Sequence, residues 1–214
     1  MFCFLRLPFS ATIGPMILTY HGKNMIKAQS GDLIVAVNPI SKSSKHKSSK
    51  FGADVALISV NDADHNGVEE VTFGNKVPFV ASGPGEYEVR DIFIKGFLSK
   101  AEKEKINTIY TAQFDGINLC FLGGLSSELP EETLESLNDV DILFVPVSDT
   151  LPADKAYKIA VSLEPRLIIP LGEDDDVKKF IKESGSANPD KLDKLTLKRK
   201  DLDGKEGEIV LLSC

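Results

Sequence analysis

Two stretches of this chain are apolar on both alternations of a strand. Residues 140–147 read Val-Asp-Ile-Leu-Phe-Val-Pro-Val, and residues 167–171 read Leu-Ile-Ile-Pro-Leu. A strand that shows water neither face has to be buried on both, and such strands occur where helices cover a parallel sheet. Helix signals lie where that arrangement needs them. At 130–137, Pro130 suits a first turn, and Glu131 and Glu132 suit its positive end. A second helix is expected at 152–163, stopped by Pro165. A third at 174–184 opens on acids and carries Lys178, Lys179 and Lys182 later, which complements its dipole. The later half of the chain therefore reads as βαβα.

The earlier half reads as strands alone. Short apolar runs at 17–20, 25–28 and 33–37 alternate with turns, and further strands are expected at 55–59, 68–73, 77–82, 87–90, 92–97, 106–114 and 117–122. Asp115-Gly116 is a two-residue hairpin signal, and Asp91 marks a second tight bend. Residues 195–199 and 208–212 read as a closing pair of strands around Asp203-Gly204. Residues 41–50 alternate Ser and Lys around His46 and bury no apolar surface, so a mobile loop with a solvated His46 is expected. Nothing between 16 and 214 resembles a linker, so one α/β domain is expected there. Residues 1–15 are apolar but interrupted by Arg6 and Pro8, and lack the basic start and small-residue cleavage site of a signal peptide. They read as an N-terminal arm or upstream extension.

The formal net charge of −7 argues against generic nucleic-acid binding. No run of about 20 apolar residues offers a membrane span. Cys3, Cys120 and Cys214 form no CxxC pair, as expected for reduced thiols in a cytoplasmic protein.

The chemistry-bearing residues gather where the strand at 55–59 gives way to a polar loop. Asp62, Asp64 and His65 crowd into four residues there. Carboxylates and an imidazole at a strand end are what a divalent metal site needs. Each also has a structural role open to it, since Asp bonds loop amides and His caps a following segment. The acids at 173–176 head a helix, where dipole compensation is the ordinary reading.

Five segments, in order, resemble the metallo-β-lactamase superfamily, in particular its small branch of Zn-dependent hydrolases that includes ascorbate-phosphate lactonase relatives. They are Ile-Leu-Thr-Tyr-His-Gly at 17–22, the loop at 54–66, Gly-Pro-Gly-Glu-Tyr-Glu-Val at 83–89, Asp-Gly-Ile-Asn-Leu-Cys-Phe-Leu-Gly-Gly at 115–124, and the apolar strands at 141–147 and 165–171. The resemblance implies a four-layer αββα sandwich and a dinuclear zinc hydrolase. It also implies ligand positions, and most of these are altered. The motif His-x-His-x-Asp-His falls on Val60, Asp62, Asp64 and His65. The pattern His-Leu-Gly-Asp falls on Phe121, Leu122, Gly123 and Gly124, and the last family histidine falls on Gly172, followed by Glu173.

A hydrolytic zinc site needs about three protein ligands and an open position for water. The residual metal candidates here are Asp62, Asp64, His65 and Glu173. With no carboxylate at 124 two metals cannot be bridged, and Phe121 is expected to fill part of the vacated cavity. The expectation is a protein without a cofactor that binds a small molecule or a protein. The alternative is an ester or phosphate hydrolase holding a single divalent ion, zinc, manganese or magnesium. A homo-oligomer built through strand edges or the apolar arm is a third expectation.

Overall fold

The computed structural model describes residues 14–187 and 189–214, so most of the N-terminal arm (1–13) lies outside the described residues. The first strand begins at Met16. Six strands form one sheet: β1 (Met16–Tyr20), β2 (Ile26–Ser30), β3 (Leu33–Val37), β4 (Val55–Leu57) and β5 (Phe79–Ala81), with β13 (Leu195–Leu197) beyond β1. A seven-stranded sheet contains β6 (Gly85–Val89), β7 (Ile92–Lys100), β8 (Ile106–Phe114), β9 (Ile117–Phe121), β10 (Ile142–Pro146), β11 (Leu167–Leu171) and β14 (Glu208–Ile209), in the order β14-β11-β10-β9-β8-β7-β6. A short parallel pair joins β12 (Lys191–Leu192) to β15 (Leu211–Leu212). The helices are α1 (Glu131–Ser136), α2 (Ala153–Ser162) and α3 (Asp174–Ser184).

The sheets face each other across a core that includes Leu18, Val35, Leu57, Tyr110, Phe114, Phe144 and Ile169. Apolar residues on the other side of the seven-stranded sheet, such as Leu143 and Val145, pack against Ala156 and Phe180 of α2 and α3. Phe180 is fully buried and contributes about 1.5–3 kcal/mol to that layer. The outer face of the first sheet carries Ala36, Ala56 and Ile58, and is covered by Ile40, Ala53 and Val71 from loops rather than by a helix. The αββα plan is thus present, with one outer layer made of irregular chain.

Most expected elements fall within a residue or two of their observed bounds. The Asp115-Gly116 turn has φ of 50° and 72°, and Arg90-Asp91 has 51° and 64°, as two-residue hairpins require. Three expectations are corrected. Residues 68–73 are not a strand: a single 3₁₀ turn spans Val68–Glu70, and Glu70 turns inward to accept from Ser48 Oγ. The segments at 195–199 and 208–212 do not pair with each other. β13 joins β1 antiparallel, β14 joins β11 in parallel, and β15 joins β12. The Ser/Lys loop is tethered rather than loose: Ser41 Oγ donates to Glu69, Ser44 Oγ to Asp64 and Ser48 Oγ to Glu70, at 2.6, 2.6 and 3.2 Å. Among the described residues, no helix is long and apolar enough to cross a membrane.

β9, β10 and β11 run parallel, so their C-terminal ends share one rim of the sheet. Loops from those ends and from β4 form the candidate site.

Candidate functional site

Six chain segments, several of them distant in sequence, line one cleft of about 180 Å³, among them Lys23-Asn24 and the stretch from Ala101 to Lys105. Val60, Asp62, Asp64 and His65 enter from the loop after β4, Gly124 from the end of β9, Val147 from the end of β10, and Gly172 and Glu173 from the end of β11. Open α/β sheets place ligand sites at such a rim. The fold therefore brings together the positions at which the resemblance implies metal ligands, with Glu173 beside them and Phe121 as the one exception. Phe121 lies between the sheets, stacked on Phe144 with ring centroids 4.6 Å apart, and is not among the residues lining the cleft. The expectation that it fills a vacated cavity is therefore corrected: alternation along β9 points it into the core.

His65 is buried and both its ring nitrogens are engaged. Nδ1 lies 2.7 Å from Asp62 Oδ1, and Asn24 Nδ2 lies 3.1 Å from Nε2. The contacts fit the tautomer in which Nδ1–H donates to the carboxylate and Nε2 accepts from the amide. Neither nitrogen then has a free lone pair for a metal. Asp62 is equally occupied. Its Oδ1 also accepts from the Asp64 backbone N–H at 3.1 Å, closing the turn, and its Oδ2 accepts from Lys105 Nζ at 2.9 Å. Burial alone would raise the Asp62 pKa, but the hydrogen bonds from His65 and Lys105 outweigh it, so the carboxyl is held well below its ordinary range. The Lys105 ammonium is raised in turn, chiefly by the bond to Asp62.

Asp64 turns toward the Ser/Lys loop, where it accepts from Ser44 Oγ, and His46 Nε2 lies 3.9 Å from its second oxygen. His46 is thus half-exposed against a carboxylate rather than freely solvated. Glu173 occupies the N-cap position of α3 in extended backbone, without a side-chain cap bond.

Two glycines of the cleft leave no room for a side chain. A Cβ at Gly124 would sit 2.9 Å from Val60 Cγ2 and 3.6 Å from His65 Nε2. One at Gly172 would sit 2.4 Å from the Val147 carbonyl oxygen, where no side chain fits without a backbone shift. Among the described residues, no three His, Cys, Asp or Glu side chains group closely enough to hold a metal ion. The residues present do not fit a dinuclear zinc centre, or a mononuclear one as they stand.

The third histidine, His21, lies outside this cleft. Its ring packs against Phe51 with centroids 5.6 Å apart, and its buried Nε2 has no partner among the described residues. Burial, then the charge of Lys27, lowers its pKa. Sequence reasoning missed Asn24 and Lys105. They contact the loop from 41 and 43 residues away, a separation that leaves no local pattern to read.

Comparison with known proteins agrees with this architecture. Searched against curated proteins, the chain finds no match. Among solved structures, one similar chain is a Thermotoga maritima protein assigned to the Zn-dependent hydrolases of the metallo-β-lactamase superfamily. It is 24% identical, with a TM-score of 0.75, and the match covers 92% of this chain and 98% of that one. An assigned metal-dependent hydrolase from Parabacteroides distasonis is 18% identical, with a TM-score of 0.63, over 79% of this chain and 90% of that one. The metallo-β-lactamase fold protein YhfI from Bacillus subtilis is 12% identical, with a TM-score of 0.58, over 94% and 96%. These likenesses establish the fold. The family model described as the Beta-lactamase superfamily domain matches residues 17–172, from β1 to the glycine that follows β11. With that match spanning most of its length, the chain belongs to the metallo-β-lactamase superfamily.

Proposed function

We propose that this protein has the hydrolase-like fold of its superfamily without its dinuclear metal chemistry, and that it works by binding a small molecule or a protein partner. The observation that carries the reading is the state of His65. Its two nitrogens are committed to Asp62 and Asn24, and the positions facing it, Val60 and Gly124, bring no donor atom. A zinc-bound water needs about three protein ligands to hold the ion. The alternative, one divalent ion on Asp62, Asp64, His65 and Glu173, requires Asp62 to leave Lys105 and Asp64 to leave Ser44. Both departures strip a carboxylate of a charged or hydroxyl donor before any metal is gained.

Elemental analysis of the purified full chain tests this. The expected result is zinc and manganese well below one equivalent, with no hydrolysis of lactone, phosphodiester or β-lactam substrates. One equivalent of either metal, removed by chelator together with a hydrolytic activity, would overturn the proposal.

A further inference from the structure

A second cavity, of about 520 Å³, lies beside the cleft, and Lys23, Gly172 and Glu173 line both. That volume falls in the range of small-molecule pockets. Its floor is apolar: Ile40, Pro170, Val177, Leu211 and Leu212 line it and are buried. Its basic wall comes from two places. The turn between β1 and β2 carries His21 and Lys23, and the Ser/Lys loop carries His46 and Lys47. Lys191 also lines the cavity, but it is paired with Asp174 at 2.5 Å. Lys23 and Lys47 have no ion-pair partner among the described residues.

Lys23 is held in place by its turn. Its φ of 53° lies in the left-handed region, where a Cβ crowds the following carbonyl and Gly or Asn is the usual residue. The surrounding bonds over-determine that conformation. His21 N–H donates to Met25 O and Met25 N–H donates to Gly22 O, both at 2.9 Å. Tyr20 Oη donates to the Lys23 carbonyl at 2.8 Å, and the next residue, Asn24, reaches His65 at 3.1 Å. Backbone strain maintained in this way collects at ligand clamps. Lys23 is half-buried at the boundary of two cavities, with no carboxylate paired to it among the described residues.

We propose that this second cavity binds a small organic carboxylate with an apolar body, its carboxylate meeting Lys23 and Lys47 and its body lying on Val177, Leu211 and Leu212. This rests on the reading that the protein binds a small molecule, and names the class of that molecule. A single carboxylate is answered by two ammonium groups, while the hydrocarbon part gains burial on the apolar floor. Glu173, exposed at the junction with the cleft, limits how much negative charge the cavity takes, and so disfavours a phosphate monoester. A primary amine could meet Glu173 but would face both lysines as a like charge.

Octanoate is the probe. With about ten non-hydrogen atoms it should bind with a Kd of about 0.1–1 mM. It is titrated into the purified full chain at neutral pH while ¹H–¹⁵N correlation spectra are recorded. The signals of Gly22, Ser49 and Leu212, which line this cavity alone, should move most, and those of Gly124 and Leu125, which line the cleft alone, should move little. Lys23→Asn removes one charge with a residue that suits the left-handed turn, and Lys47→Gln removes the other. Each should weaken octanoate about fivefold, with an unchanged circular dichroism spectrum, and octylammonium should bind at least about fivefold more weakly than octanoate. No shifts up to about 10 mM octanoate, shifts centred on Gly124 and Leu125, equal affinity for octylammonium, or indifference to both substitutions overturns the proposal. The titration needs neither metal nor turnover. Its failure on protein free of metal and of hydrolytic activity overturns the ligand class alone, whereas one equivalent of metal with hydrolysis overturns the reading and this proposal with it.

Discussion

Val60 and Gly124 test directly how tightly the cleft is packed. Gly124 has no left-handed φ, so an alanine there incurs no backbone strain. Its Cβ would nevertheless approach Val60 Cγ2 to 2.9 Å, against the 3.5–4.0 Å of a normal carbon contact. Val60 is 2% exposed and has little room to retreat. Gly124→Ala should therefore destabilise by about 1–2 kcal/mol, the overpacking cost less what alanine recovers by stiffening the unfolded chain. Val60→Ala removes two buried methyl groups and should cost about 2 kcal/mol. In the double variant the methyl of residue 124 enters the space that valine vacates. The double should be no less stable than Val60→Ala alone, giving a compensating coupling of about 1–2 kcal/mol. Urea denaturation followed by circular dichroism measures all four corners of the cycle. Strict additivity, within about 0.5 kcal/mol, would refute the idea that Val60 fills the space facing position 124.

The Lys105–Asp62–His65–Asn24 chain makes a pH-dependent prediction. Because the folded pKa of Asp62 is depressed, its contribution is full above the ordinary carboxylate pKa of about 3.9 and is lost as pH falls through the lower folded value. Asp62→Asn should cost about 1–2 kcal/mol at pH 7, a hydrogen bond to a charged group discounted for the partial exposure of Asp62 and Lys105. Thermal melts should show that gap constant from about pH 8 to about pH 5 and closing below about pH 4; a gap that persists in acid would contradict the account. Ser44→Ala should release the Ser/Lys loop from Asp64 and speed tryptic cleavage at Lys45 and Lys47 several-fold in native protein. Unchanged cleavage would mean that the hydroxyl bond does not hold the loop.

The fold is legible where its signals are local or periodic. Doubly apolar β10 and β11 announce the parallel part of the sheet, and Asp115-Gly116 announces the hairpin between β8 and β9. Pairing at a distance is not legible in the same way. The alternation at 68–73 suggests a strand, but those residues cover the outer face of the first sheet and Glu70 binds Ser48. The positions at which the resemblance implies ligands can be located residue by residue, and all but Phe121 do line one cleft. The partners of His65 and Asp62 cannot be read, because Asn24 and Lys105 carry no motif. The Ser/Lys composition suggests mobility, since the serine tethers depend on carboxylates at distant positions, 64, 69 and 70.

Lys105 has a consequence for how such a protein is supplied. The positive charge that neutralises Asp62 is made on the ribosome with the rest of the chain. A metal-held domain folds only as completely as its ion is available, and it unfolds when a chelator takes the ion away. An ammonium on its own flexible stem does not dissociate and needs no loading step. It also has no vacant coordination position and cannot acidify a water as a zinc ion does. The cation that meets Asp62 is thus one the chain always carries.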